Sequence, residues 1–322
     1  FAVVSCAVMV IFKMNEAYFD SYSVVLLQED NAPQEQTSVA RYNMKVELED
    51  KAQSELILPL TQKLSADHVT VREDFVEEKL VVTMKGAASC LESGSLVTID
   101  SNILDAVGVY RQQEDIVLEM YCKDAYGYEL NLEENQLVVS FVPLRSQYQI
   151  VSVIYVPLKD RDRLVNQDMQ ELDKIAGAYG MKVYKTWQLQ TEYSQQQVVD
   201  FANHIHADML LGIGVEEGAG QDRIETLCNA GYFIPDFGGV DLAAVMTDSM
   251  NRVYSALEIQ VMDAGEEYTL IHDASVPAAM TLYYTKQAAT GRPETEYDMN
   301  RKLINALTDM YKQVLSTYFT SE

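Results

Sequence analysis

The chain has 322 residues, with 49 Asp and Glu against 24 Lys and Arg, a formal charge of −25. It is long enough for two cores and wrong in sign for a nucleic-acid binder. Hydrophobic residues at 48% and charged residues at 23%, with only 15 Gly and 7 Pro, exclude a fibre or a disordered chain, and the acidity is spread: 22 acids and 10 bases over 29–150, 25 and 13 over 151–322.

The chain opens on FAVVSCAVMVIF before Lys13. Twelve apolar residues make roughly 18 Å of helix, short of the ~20 residues that span a bilayer. Residues 1–13 are therefore expected to be the remnant of a transmembrane helix or signal segment. Val3-Val4-Ser5-Cys6 has the look of a lipoprotein cleavage site, but the apolar run continues past the cysteine. Residues 14–38, ending in QEDNAPQEQTS, read as a linker.

From Val39 to about residue 148 the apolar residues recur with period two in short runs, among them ELILPL, HVTVRED, KLVVTM, IVLEMYC and QLVVSFV. That periodicity predicts an all-β, sandwich-like domain over 39–148. VTVREDFVEEKLVVTM at 69–84 and YELNLEENQLVVSF at 128–141 echo one another, each a strand, an acidic turn and a strand.

The pattern changes at Tyr148. QIVSVIYVPL predicts a buried strand, and RLVNQDMQELDKIAGAY (163–179) a helix closed by Gly180 at its C′ position. MKVYKTW and ADMLLGIGV predict further strands, DLAAVMTDSMNRVYSALE a second amphipathic helix, and 297–318 a long terminal helix with Leu303, Ile304, Leu307, Met310, Tyr311, Val314 and Leu315 on one face. Strands alternating with helices predict a mixed α/β domain over 149–322, with helices on both faces of a sheet.

Chemistry-bearing residues are scarce. Of four cysteines, Cys6 lies in the apolar stub, Cys90 and Cys122 share one domain and could pair, Cys122 reads equally as a buried small hydrophobe, and none has CxxC spacing. The histidines are His68, His204, His206 and His272. His204, His206 and Asp208 form an HxHxD arrangement, two imidazoles and a carboxylate that could hold zinc. Met209 follows where the HxHxDH form of the motif has another histidine, and the simpler account is solvent-facing residues ahead of a buried strand. There is no GxSxG, Cys228 with His272 is only a pair of suitable residue types, and Gly212-Ile-Gly214 is not a GxGxxG.

Order and spacing over 150–322 resemble the zinc-dependent N-acetylmuramoyl-L-alanine amidases, which cleave the glycan-to-peptide bond of peptidoglycan. Ile154 to Asp160 stands where that family's first strand ends in a zinc-binding His, with Lys159 at the His; counting back from Gly180 puts Arg161 at the zinc-binding Glu. Ala202-Asn203 with Ala207 to Glu216 looks like the AN…ADLFISIHAN stretch and puts Gly214 at the second zinc His. Val276 to Tyr284 looks like VPAVLVEXGF and puts Leu282 at the Glu that serves as general acid or base. Amidase chemistry needs neutral imidazoles and a carboxylate on a Lewis-acidic zinc, with a second carboxylate to shuttle the proton. Lys159, Arg161, Gly214 and Leu282 offer none of these. The preceding β domain is similar to the AMIN-type module that often precedes such amidases.

The apolar stub and the resemblance together lead to the expectation of a bacterial cell-membrane protein, single-pass, with an extracellular or periplasmic ectodomain; the residues at the site positions lead to the expectation that its amidase-like domain has no cofactor. It would bind or scaffold, with a peptidoglycan fragment or an envelope protein as partner and no nucleic acid. The alternative is an active amidase hydrolysing peptidoglycan with zinc on atypical ligands: His204, His206 and Asp208.

Overall fold

The protein is described here as a computed structural model, covering residues 11–12, 21–26, 41–43, 54–59, 64–85, 95–98, 102–112, 115–133, 136–164, 170–217, 223–229, 233–234, 237–254, 258–285 and 293–319. The chain divides into two compact units, Phe1–Gln147 and Tyr148–Glu322.

The first unit is built of antiparallel strands in two sheets. One has the order Ile11–Phe12, Ser54–Pro59, Gln136–Pro143, Tyr126–Leu132. The other runs Arg41–Asn43, Ser21–Leu26, Ser95–Thr98, Leu104–Gln112, Asp115–Cys122, Lys79–Met84, Val69–Asp74. One apolar cluster joins them: Leu56, Leu137, Val139 and Phe141 from the first sheet meet Leu80, Val82, Val107 and Leu118 from the second. Alternation along each strand buries one face, which is why two sheets packed face to face satisfy this sequence. The two echoing segments are both antiparallel hairpins, with Val71 opposite Val82 and Leu130 opposite Val139, and each contributes to a different sheet.

Two expectations about the N-terminal region meet different structure. Of residues 1–13, only Ile11 and Phe12 are described, and they form a strand paired with Ile57 and Leu56 instead of a helix. Ser21–Leu26, expected within a linker, is a strand of the larger sheet, paired with Arg41–Asn43 and Ser95–Thr98. β-branched and aromatic residues serve a ladder as readily as an apolar helix or a tether. Among the described residues, no helix is long and apolar enough to cross a membrane. Cys6 and Cys90 lie outside the described residues, and Cys122 is a free thiol.

The second unit is a six-stranded mixed sheet. In chain order its elements are β1 (Ile150–Tyr155), α1 (Leu158–Leu164), α2 (Gln170–Ala178), β2 (Met181–Lys185), α3 (Gln195–His204), β3 (Met209–Glu217), β4 (Arg223–Cys228), α4 (Gly239–Val253), β5 (Glu258–Asp263), α5 (Thr269–His272), β6 (Ala278–Thr285) and α6 (Pro293–Val314). The sheet order is β2-β1-β3-β6-β4-β5, parallel except that β4 and β5 run against the other four. All six residues of β1 are buried, as expected of a parallel strand covered on both faces.

One face of the sheet packs Ile154, Leu211, Ile213 and Tyr283 under Leu164, Leu172, Leu242, Met246, Leu307 and Met310 from α1, α2, α4 and α6. The stripe on α6 repeats every three or four residues, so its buried side chains share one face, and Tyr311 bonds Ser152 of β1 at 2.8 Å through their hydroxyls. On the opposite face, Phe201 of α3 meets Tyr184 of β2 edge-on at 5.1 Å, and Leu270 of α5 lies against Gly212. Ser194 caps α3: its hydroxyl accepts from Gln197 N–H at 3.3 Å while its own N–H donates to Gln197 Oε1 at 3.1 Å. The second amphipathic helix ends at Val253, short of the expected Glu258, which instead opens β5.

Candidate functional site

Strand register decides what meets at the end of the sheet where β1, β3 and β6 finish. Gly214 of β3 lies opposite Leu282 of β6, and Leu282 lies opposite Glu225 of β4. One step further along, Glu216, Tyr284 and Arg223 form the next row. Paired positions on neighbouring strands share a face, so Gly214, Leu282 and Glu225 form a contiguous strip.

β1 leads into this strip through Val156-Pro157, and α1 starts at Leu158. Asp160, on the first turn, is 1% exposed and its Oδ2 accepts the Val215 N–H at 3.0 Å. The same oxygen would be 3.7 Å from a Cβ placed on Gly214, and Leu282 Cδ2 would be 3.2 Å from it. The space beside Gly214 is thus filled by an aliphatic side chain and a carboxylate that is already engaged. A Cβ contact at 3.2 Å forces its neighbour to give way, so position 214 has little room for a side chain.

The flanking basic residues are occupied too. Lys159 Nζ donates to Glu216 Oε1 at 3.2 Å, both side chains being well exposed. Arg161 Nη1 donates to the Leu189 carbonyl at 3.2 Å; its buried Nε has no hydrogen-bond partner among the described residues. Burial holds the Tyr155 hydroxyl protonated above its ordinary range, with Glu192 and Asp160 adding to that and Arg161 opposing it.

Glu225 has no counterpart in the sequence reading. It is 9% exposed, accepts from Arg223 Nε at 2.7 Å, and that guanidinium stacks 3.8 Å from the Tyr284 ring centre. Burial raises the Tyr284 phenol, helped by hydrogen bonding to Glu225 and Tyr268. The one sequence signal is a lone acid inside the apolar run RIETLC, which says nothing of its neighbours until β4 pairs with β6.

A tetrahedral zinc site takes neutral imidazole, thiolate or carboxylate ligands. Lys159, Arg161, Gly214 and Leu282 include no such group, Asp160 holds a backbone amide and Glu225 holds Arg223, so these residues do not fit zinc. His204, His206 and Asp208 lie at the other end of β3. His204 closes α3, and His206 is exposed with φ at +49°, the left-handed residue that stops the helix. Asp208 Oδ2 accepts the Val151 N–H at 2.7 Å, bracing the start of β1. Six residues of strand, roughly 20 Å, separate Asp208 from Gly214. The three candidate ligands do not gather within chelating reach of one another. Cys228 and His272 each have other neighbours: the thiol points at the Met262 carbonyl at 3.8 Å and burial raises its pKa, while His272 Nδ1 is 2.7 Å from Asp273 Oδ1.

No protein-family model matches the chain, and no curated protein matches it either. Solved structures similar to it include the N-acetylmuramoyl-L-alanine amidase from Clostridium difficile 630, at 15% identity over 52% of this chain and 98% of that one, TM-score 0.40. The catalytic domain of CwlV, an amidase of the same name from Bacillus (Paenibacillus) polymyxa var. colistinus, is 13% identical over 51% and 98%, TM-score 0.37. The CwlD amidase from Clostridioides difficile, solved in complex with the GerS lipoprotein, is 12% identical over 52% and 98%, TM-score 0.37.

Proposed function

We propose that residues 148–322 form an amidase-like domain that binds without hydrolysing, and that the chain works at a bacterial cell envelope as a binding or scaffolding protein. Its ligand is a peptidoglycan fragment or an envelope protein, met on the outer side of the cell membrane.

One observation carries the loss of catalysis. At the sheet end where the resemblance implies a metal, Gly214 faces Leu282, and the space beside Gly214 holds Leu282 Cδ2 and a hydrogen-bonded Asp160. Activating water there would require a Lewis acid and a free carboxylate to move the proton. The side chains present offer an ion pair, an aliphatic group and a backbone cap, which suit holding a ligand in place.

The test is metal content of the purified chain, measured together with release of peptide from muropeptides in the presence of added zinc. The reading expects no stoichiometric zinc and no release; zinc at one per chain with turnover overturns it. Pull-down on insoluble peptidoglycan then separates the two ligands: retention supports the glycopeptide, and passage through supports a protein partner.

A further inference from the structure

The sheet of the second unit has two unlike edges. β2 at one end is almost wholly buried, with Met181, Val183, Tyr184 and Lys185 inside. β5 at the other end is paired only on its inner side, to β4, among the described residues. Every residue of β5 but Ile259 is exposed. Val261 and Met262 stand 45% and 38% exposed. Consecutive strand residues point to opposite faces, so at Val261 and Met262 solvent reaches both faces of the strand, while Ile259 packs against the core.

A strand edge of this kind offers main-chain donors and acceptors at strand spacing to any extended chain that arrives. Charge selects the arrival. Glu258 and Asp263 end the strand, and Glu266 and Glu267 follow it in exposed positions. Arg223, opposite Glu258 in the ladder, donates to Glu225; Asp263, Glu266 and Glu267 have no base opposite them among the pairings described. A second copy laid along the same edge would bring these acids against themselves, on a chain already at −25. Glu258 shares a face with Met262, and Asp263 shares the other with Val261, so an extended segment carrying Lys or Arg five positions apart, with apolar residues between, meets both acids with opposite charge and sets apolar side chains on Val261 and Met262.

We propose that β5 is a docking edge on which a basic, extended segment of a partner protein adds as a seventh strand. The proposal is independent of the loss of catalysis argued above, since β5 lies outside the Gly214–Leu282 strip, and a chain found to release peptide from muropeptides would still bind on this edge.

The probe is a fluorescein-labelled synthetic peptide of about eight residues, with lysine second and second from last and valine elsewhere, titrated into the full chain and read by anisotropy. Two comparison peptides replace lysine with glutamate or carry N-methyl groups on alternate amides, which removes main-chain donors. The expected result is saturable binding of the lysine peptide, at least tenfold weaker binding of both comparison peptides, and slowed hydrogen exchange at 258–263 in its presence. E258K combined with D263K should weaken binding at least tenfold with an unchanged melting temperature. If that variant unfolds, the N-methyl comparison decides alone. Equal affinity for the N-methylated peptide, exchange protection only elsewhere, or self-association through this edge that Val261→Lys abolishes would each overturn the proposal.

Discussion

Gly214 and Leu282 lie directly opposite one another on adjacent parallel strands, and a methyl group on Gly214 would come within 3.2 Å of Leu282 Cδ2. The glycine is therefore the counterpart of the leucine's bulk. Gly214→His should destabilise the chain by roughly 1–3 kcal/mol through overpacking, and it should do so without acquiring zinc. Adding Leu282→Ala should recover part of that loss, so that the two changes are non-additive in a double-mutant cycle read by urea unfolding. Strict additivity would mean that the two positions do not share one space.

Asp160 acts as a buried cap on β3. Asp160→Ala leaves the Val215 N–H without its acceptor and should cost about 1–3 kcal/mol. Asp160→Asn keeps an oxygen in place and should cost less. Equal losses for the two variants, in thermal or urea melts, would contradict a role that depends on accepting this one bond.

His206 holds a left-handed backbone at the end of α3. An L residue meets a penalty on the order of 1 kcal/mol there that glycine avoids. His206→Gly should therefore raise stability by up to about that amount, and His206→Val should lower it. If His206 instead served a metal, His206→Gly would abolish zinc binding, which the same purified variant reports by metal analysis.

The Cys122 thiol is pushed up to about 12, first by burial and then by Glu73, Glu78 and Asp105. An unfolded thiol titrates near ~8.5. Between those values the unfolded chain loses a proton that the folded chain keeps. The stabilisation is complete below about pH 8.5 and is lost as pH rises toward the folded value, with a limiting slope of about 1.4 kcal/mol per pH unit. Urea unfolding between pH 8.5 and 9.5 should show this fall, and Cys122→Ala should flatten it. Iodoacetamide mapping by mass spectrometry should find Cys122 slow to label in the native state at pH 8; rapid labelling would sink the assignment.

Much of the second unit could be read from local pattern. The apolar run of β1, the three-and-four spacing on α6 and the stop at Gly180, which does take a positive φ of 61°, are properties of neighbouring residues. Boundaries went astray where two elements abut. Expected as one helix, 163–179 falls across α1 and α2, and the helix expected to reach Glu258 yields to β5 because EIQVMD serves a strand edge better than an exposed helix. In the first unit, alternation alone predicts strands, while their assignment to two sheets depends on pairings far apart in the chain, as between Leu56 and Val139.

Sequence by itself determined the residue types: an acidic chain with few histidines and, at the positions an amidase would use, Lys159, Arg161, Gly214 and Leu282. Tertiary structure decided their company. It set Gly214 against Leu282, brought Asp160 beside Gly214, put Glu225 next to Leu282 from 57 residues away, and moved His204, His206 and Asp208 to the opposite end of β3. It also left β5 paired on one side only among the described residues while burying β2. The physical reason is that chemistry at a sheet end depends on register between strands, and register is fixed by which faces can be buried together, a property no single strand carries.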